Sequence, residues 1–191
     1  MNELIFATHN ENKVQEVVSV LKGKFEVRSL SNLGLNQEIP EPYDTLEENA
    51  REKAHIVNKW TGRDCFSEDT GLLVDSLNGE PGVRSARYAG DHDFQKNINK
   101  LLHRLSGIEN RKARFITIIC LILKGKEYIF EGDCKGIIIA ERRGSKGFGY
   151  DSIFVPDGSE KTFAQMDIEE KNQFSHRKKA VEKLIAFLQQ Q

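Results

Sequence analysis

The sequence predicts a mixed α/β domain built on one long, partly antiparallel sheet, and three features of the chain lead to this fold class. An apolar run, a polar loop and an apolar series at helical spacing follow one another at the N-terminus. Amphipathic helical segments alternate with short apolar runs through the middle of the chain. Three successive apolar segments between residues 113 and 140 then indicate antiparallel strands. With 191 residues, the chain fits a single domain over 1–191 with a sizeable core.

Each element is predicted from its local pattern. Thr45 and Glu48 have capping-box spacing, and Gly62 is a typical helix stop. Lys124-Gly125-Lys126 indicates a hairpin turn between two apolar runs. In order, the predicted elements are a strand over 4–7, a helix over 11–22, a strand over 25–27, a loop over 31–44, a helix over 45–62, a strand over 72–74, a helix over 94–105, strands over 113–123, 127–131 and 136–140, and a final helix around 180–188.

Composition excludes several function classes. The net charge of -1 provides no field that would gather nucleic acid or an anionic membrane, so any negative ligand must be held by locally placed cations. No apolar run has membrane-spanning length and the N-terminus has no signal-like core, so we expect a soluble, cytoplasmic protein. The three cysteines lack metal-ligand spacing and suit a reducing compartment.

The segment Ser67–Leu72 is the most informative motif. It places the adjacent carboxylates of Glu68 and Asp69 after an apolar pair, and its Thr70-Gly71 step is typical of a turn. Adjacent acids in a half-buried position are unfavourable unless a positive group lies between them. Mg2+ meets that need, because it takes hard oxygen ligands and keeps room for water and substrate phosphate. A solvated acidic turn is the alternative interpretation.

The polar loop Thr8–Lys13 lies between the first predicted strand and the first predicted helix. A helix N-terminus favours an anion, Thr8 and Asn10 add donors, and Lys13 adds a mobile charge suited to phosphate. The glycines of a Walker loop are absent. Alternatively, Thr8 or Asn10 is an ordinary helix cap and Lys13 is a solvated lysine of the first turn.

Two later clusters also have binding chemistry. Gly144–Asp151 combines three glycines with Phe148 and Tyr150, whose rings offer faces on which a base can stack. A glycine-rich hairpin tip that covers the core is the alternative. Ser175–Lys179 places cations at a helix N-terminus, which opposes the helix dipole unless an anion or acceptor compensates. A solvated basic turn is the alternative there.

Seven short blocks provide a more specific signal. They are Thr8-x-Asn10-x-x-Lys13, Glu48-Asn49-Ala50-x-x-Lys53-Ala54, Ser67-Glu68-Asp69-Thr70-Gly71-Leu72, Gly79-x-Pro81-Gly82-Val83-x-Ser85-Ala86-Arg87-Tyr88-Ala89-Gly90, Gly147-Phe148-Gly149-Tyr150-Asp151, Glu170-Lys171-Asn172 and Ser175-His176-Arg177. In this order they resemble the inosine triphosphate pyrophosphatase family, also called Ham1-like. The resemblance implies an elongated α/β fold whose two lobes flank a central nucleotide-binding cleft, a homodimer and a Mg2+ requirement. It also implies hydrolysis of ITP, dITP and XTP to the monophosphate and pyrophosphate.

The resemblance also assigns roles by position. It places the phosphates on Thr8, His9, Asn10, Glu11, Asn12 and Lys13. Lys53 neutralises developing charge, and Asp69 is the general base. The implied Mg2+ ligands are Glu41, Glu68 and Asp69. Thr70 touches the nucleotide. The base and ribose pack on Phe148, Gly149, Tyr150 and Asp151, and the base edge faces Lys171, His176 and Arg177.

Two departures from the family pattern leave details open. Ser152 stands where the family usually has proline, and Glu68 stands where bacterial members more often have a second aspartate. Glu38 is the nearest rival of Glu41 as a metal ligand. Two other functions fit the same parts: a Maf-like pyrophosphatase acting on pyrimidine or modified nucleotides, and a protein that binds nucleotide without hydrolysing it.

Overall fold

The structure is a computed structural model that describes residues 2–21, 25–90 and 93–191. Its helices are α1 (Glu11–Leu21), α2 (Leu46–Thr61), α3 (Phe94–Arg104), α4 (Ile168–Lys171) and α5 (His176–Leu188). Its strands are β1 (Asn2–Phe6), β2 (Phe25–Ser29), β3 (Cys65–Val74), β4 (Pro81–Gly82), β5 (Lys112–Leu123), β6 (Lys126–Ile138) and β7 (Phe154–Pro156). The predicted mixed α/β class is therefore confirmed.

The strands form one mixed sheet with the hydrogen-bonded order β2-β1-β3-β5-β6-β7, and β4 pairs with β3. β1 runs parallel to both neighbours, with Ile5 opposite Arg28 on β2 and Cys65 on β3. β4 and β7 are antiparallel to their partners. This order places β3, which contains the acidic pair, next to the first strand of the chain.

Local sequence signals account for the long helices. At the start of α2 the Thr45 side chain accepts a hydrogen bond from the Glu48 backbone N–H, and after its end Gly62 adopts the left-handed conformation at φ 65°. Both features agree with the predicted start and stop. Helix α1 ends at Leu21, and residue 22 of the predicted helix lies outside the described residues.

The predicted turn at Thr70-Gly71 is wrong, because both residues continue the ten-residue strand β3. Glu68 and Asp69 are buried in this strand and have cationic partners, so the carboxylates do not need a solvated turn.

The segments 127–131 and 136–140 were expected to be separate strands, but β6 runs unbroken from Lys126 to Ile138. Gly136 lies inside β6 because the strand approaches β7 closely: a Cβ at this position would come within 2.2 Å of the Val155 carbonyl oxygen. β7 was not predicted, since three residues are too few for a periodic pattern.

The chain divides into two compact units. The first unit comprises Met1–Asp69, Thr117–Gly132 and Arg177–Gln191, and the second comprises Thr70–Ile116 and Asp133–His176. Each unit has its own hydrophobic core. Among the described residues, no helix is both long enough and apolar enough to span a bilayer. The single domain over 1–191 remains a prediction.

Candidate functional site

In the first unit, the loop before α1 is organised by its own side chains. Asn10 Oδ1 accepts hydrogen bonds from the backbone N–H groups of Asn12 at 3.0 Å and Lys13 at 3.3 Å, so Asn10 caps the helix. Thr8 Oγ1 accepts from the Asn10 N–H at 3.1 Å. Exposed His9 bonds the Gln37 carbonyl through Nε2 at 3.0 Å. The helix-cap interpretation of Asn10 is therefore confirmed.

The residues that follow this loop begin α1, and Lys13 differs from the two before it in its surroundings. Glu11 is exposed, and its Oε1 accepts a hydrogen bond from Ser29 Oγ at 3.4 Å. Asn12 is exposed as well. Lys13 is not the solvated lysine of the alternative interpretation, because its Nζ lies 3.0 Å from Glu68 Oε1 and its side chain is 18% exposed.

A buried arginine is the second feature of this unit. The Arg177 guanidinium donates to both oxygens of Glu68, from Nε at 2.7 Å and from Nη2 at 2.9 Å, and its Nη1 contacts Glu16. All three side chains are almost fully buried. Burial would lower the pKa of Arg177, but the two carboxylates outweigh burial and raise this pKa above its ordinary value. Arg177 is thus the counter-ion of two acids, and its contact with a base edge stays a prediction.

A lysine–carboxylate centre is the third feature. Lys53 Nζ donates to Glu41 Oε1 at 2.5 Å and to Asp69 Oδ1 at 3.0 Å. Burial would lower the pKa of Lys53, but Asp69 and Glu41 outweigh it and raise this pKa. Glu41, Lys53 and Asp69 were predicted to share a site, and the Lys53 ammonium group joins the two carboxylates. Glu38, the rival of Glu41, is exposed.

Asp69 accepts from Lys53 with one carboxylate oxygen, and its second oxygen has different surroundings. Within the described residues, its Oδ2 is buried and has no hydrogen-bond partner. Burial raises the pKa of Asp69, and although Lys53 opposes this effect the net direction is upward. A buried carboxylate oxygen without a donor is suited to accept a proton or to bind a cation.

The second unit contains the glycine-aromatic loop. Asp151 Oδ2 accepts from the Phe148 backbone N–H at 3.0 Å and from Lys171 Nζ at 2.6 Å. Lys171 Nζ also lies 5.4 Å from the centre of the Phe148 ring. Lys171, Phe148 and Asp151 are thus brought together. Gly149, at φ 59°, has open space where a Cβ would stand.

Two residues assigned to the nucleotide, Tyr150 and His176, also have packing contacts within the second unit. Tyr150 is buried, and its hydroxyl donates to the Ser85 carbonyl at 2.9 Å. His176 is buried, and its ring stacks on Phe115 with centroids 4.7 Å apart. These contacts favour core roles for both rings. Thr70 is half-buried in β3.

Sequence reasoning missed Glu16 and gave Asn49 no role. Glu16 lies three residues after Lys13 and next to Val17, so helical spacing alone places it on the face of α1 that holds Lys13. Asn49 makes two hydrogen bonds to the Tyr43 backbone, which hold the loop carrying Glu41. A polar residue within an apolar helical pattern was the available signal in both cases.

Fold and site together define a mixed α/β protein with a buried lysine–carboxylate centre. The family model described as the Ham1 family matches residues 4–187. Over 187 residues the chain is 49% identical to the dITP/XTP pyrophosphatase of Christiangramia forsetii, covering 97% of this chain and 98% of the relative. The chain belongs to the Ham1 family, as the seven sequence blocks indicated.

Solved structures agree with this membership. A HAM1 protein from Coxiella burnetii superposes with a TM-score of 0.90 at 34% identity, over 100% of both chains. The nucleoside-triphosphatase / dITP/XTP pyrophosphatase of Mycobacterium abscessus gives a TM-score of 0.76 at 40% identity, over 95% of this chain and 98% of that one.

Proposed function

We propose that this protein hydrolyses the non-canonical purine nucleoside triphosphates ITP, dITP and XTP to the nucleoside monophosphate and pyrophosphate, and so removes them from the nucleotide pool. The observation that carries the proposal is the Lys53 ammonium bonded to both Glu41 and Asp69, beside the Asp69 Oδ2 atom, which has no hydrogen-bond partner among the described residues. The relatives named dITP/XTP pyrophosphatase support the substrate class.

In the proposed reaction, water attacks the α-phosphorus, the bond from that phosphorus to the α,β-bridging oxygen breaks, and pyrophosphate leaves. Asp69 Oδ2 takes the proton of the attacking water as general base. This oxygen has no hydrogen-bond partner among the described residues, so it is available to the water. Lys53 holds Asp69 by the other oxygen and offsets the negative charge that develops on the phosphate.

Mg2+ is the proposed cofactor, with Asp69 and Glu41 as its protein ligands. Glu41 and Asp69 are carboxylates that converge on one position, so they supply hard oxygen ligands of the kind that Mg2+ takes. The described residues contain no cluster of three or more potential metal ligands of the His, Cys, Asp or Glu type. Two protein ligands are enough for the proposal, because Mg2+ retains waters and takes oxygens from substrate phosphates. When bound, the ion would offset phosphate charge and help to align the triphosphate.

For the phosphates we propose the segment over 8–13, which runs from the loop into the first turn of α1 and provides the Lys13 cation and a helix N-terminus. For the base we propose Phe148 and Lys171, which form a ring and a cation tied together by Asp151. A keto oxygen at purine position 6 accepts a hydrogen bond, whereas an amino group there leaves the protein donor unpaired.

We further propose that the protein is a homodimer, which sedimentation would test, and that it is cytoplasmic, which cell fractionation would test.

The decisive experiment is incubation with ITP and Mg2+, followed by separate measurement of pyrophosphate and orthophosphate. We expect one pyrophosphate for each inosine monophosphate. Orthophosphate alone would contradict the proposal. In a substrate panel, preference for UTP or dTTP over ITP would identify the Maf-like alternative. Tight ITP binding without turnover would identify the non-hydrolysing alternative.

A further inference from the structure

Glu68 is a buried carboxylate in β3 whose two oxygens both face cations. Its side chain is 1% exposed, and that of Arg177 is 2% exposed. Arg177 approaches with two donors, Nε on Oε2 at 2.7 Å and Nη2 on Oε1 at 2.9 Å. In this bidentate geometry two parallel hydrogen bonds join the guanidinium to the carboxylate, so the orientation of the Glu68 carboxylate is fixed.

Lys13 contacts the same carboxylate from the first turn of α1. Its Nζ lies 3.0 Å from Oε1, the oxygen that also accepts from Arg177 Nη2. An ammonium group has three donors, so a lysine anchored to Glu68 can still donate to a phosphate. Glu68 therefore connects a partly exposed lysine to a buried arginine that follows it by 109 residues in the chain.

The surroundings of Glu68 differ from those of Asp69. Two cations contact the Glu68 carboxylate, Arg177 at 2.7 Å and Lys13 at 3.0 Å. A divalent cation on Glu68 would be repelled by these two positive groups. Asp69 instead keeps one oxygen without a hydrogen-bond partner in the described part of the chain. The neighbouring acids thus differ in role. Glu68 neutralises cations of the protein, whereas Asp69 has an oxygen that can bind a cation or accept a proton.

We propose that Glu68 is a positioning residue and not a metal ligand: its carboxylate links Lys13 to Arg177 and so determines where the Lys13 ammonium meets a triphosphate. This inference rests on the proposed function for the identity of the ligand. It replaces the expectation that Glu68 coordinates Mg2+.

The first test is a double-mutant cycle on ligand affinity. The probe is the α,β-methylene analogue of ITP, which cannot be cleaved, and EDTA removes any metal from the assay. We expect Lys13→Met to weaken probe binding at least about tenfold in the parent protein and less than about threefold in Glu68→Gln, because the lysine is no longer held in place there. The same factor in both backgrounds would overturn the proposal.

A matched control removes one negative charge elsewhere in the first unit. Glu26→Gln does this on β2, where exposed Glu26 pairs with half-buried Arg28. In this background Lys13→Met should have its full parental effect. A reduced effect would mean that general charge, and not the Glu68 contact, controls Lys13, and would overturn the proposal.

The second test measures direct binding of Mn2+ by its paramagnetic resonance signal. Glu41→Gln should weaken Mn2+ binding about tenfold or more, as expected for loss of a ligand, whereas Glu68→Gln should remain within about twofold of the parent. An equal loss in both variants would show Glu68 to be a ligand.

A third measurement separates failure of this inference from failure of the proposed function. A cycle of Glu68→Gln and Arg177→Met on the unfolding midpoint needs no nucleotide, and the double variant should lose less than the sum of the single losses. Additive losses would mean that Glu68 and Arg177 do not interact, and would overturn the proposal.

If the parent protein does not bind the probe, the proposed function fails. The unfolding cycle then still decides whether Glu68 and Arg177 interact. Should Glu68→Gln not fold, Glu68→Asp replaces it in every arm, because it keeps the charge but shortens the reach.

Discussion

The side-chain amide of Asn49 makes two hydrogen bonds to the backbone of Tyr43: Oδ1 accepts from the N–H and Nδ2 donates to the carbonyl, each at 3.0 Å. Asn49 is fully buried on α2, and Tyr43 belongs to the loop before that helix. Glu41 lies two residues before Tyr43 and reaches Lys53, one turn after Asn49. The Asn49–Tyr43 pair therefore fixes the loop that brings Glu41 to the lysine.

Replacing Asn49 with alanine should loosen Glu41 without removing it. We expect the half-saturating Mg2+ concentration for ITP hydrolysis to rise about tenfold, as for loss of a residue that orients a ligand, with a smaller change of kcat at saturating Mg2+. Asn58→Ala is the matched control, because its amide donates to the Arg63 carbonyl at the other end of α2. Identical Mg2+ curves for the parent and Asn49→Ala would show that this loop does not position a ligand.

Asp69→Asn should abolish turnover and spare binding. The substitution keeps the shape of the side chain but removes the proton acceptor, so kcat for ITP should fall by about 10²- to 10⁴-fold. Affinity for the α,β-methylene analogue, measured by calorimetry in EDTA, should change by only a few-fold. Asp75→Asn, in an exposed position just after β3, is the control. Near-normal kcat in Asp69→Asn would exclude Asp69 as the base.

Gly147→Ala and Gly149→Ala form a matched pair in the glycine-aromatic loop. Both glycines have left-handed φ values, 71° and 59°, so each substitution costs about 1 kcal/mol of backbone energy. Only at Gly147 would the new Cβ meet a neighbour, Asp151 Oδ2 at 2.1 Å.

We expect Gly147→Ala to reduce the free energy of unfolding by about 1–3 kcal/mol more than Gly149→Ala, because the Asp151 carboxylate must move away from Phe148 and Lys171. Denaturant titration measures the difference. Equal losses would mean that the Asp151 carboxylate moves aside without reducing the free energy of unfolding.

The buried thiols predict an alkaline dependence of reactivity. Burial raises the pKa of Cys65 and of Cys120 to about 12, and the thiolate is the reactive form. Folded protein at pH 8 should therefore react very slowly with a disulfide reagent, and all three cysteines should react after unfolding. Rapid labelling of folded protein would show that the core opens readily.

The same two thiols affect stability at high pH. In the unfolded chain they lose their protons near pH 8.5. In the folded protein they keep them to about pH 12, so the folded state binds more protons between these values. Their contribution is fully present below about pH 8.5 and is lost as pH rises towards 12. Replacing both with alanine should reduce the fall in the free energy of unfolding between pH 8 and pH 10, which denaturant titration at each pH would measure.

Local patterns were sufficient for much of the fold. The cap at Thr45 and the stop at Gly62 predicted α2, because capping depends on residues within one turn of each other. The turn predicted at Thr70-Gly71 was wrong because burial and pairing in β3 outweigh local turn preference.

By itself, the amino-acid sequence determined the fold class, most helices and strands, family membership and the set of candidate groups, because periodicity, caps and motif order are properties of neighbouring residues. Only the tertiary structure decided which group meets which. It brought Glu41 and Asp69 to Lys53. It also paired Glu68 with Arg177, which lies 109 residues later in the chain. The physical reason is that a buried charge needs a partner, and packing, not proximity in sequence, supplies that partner.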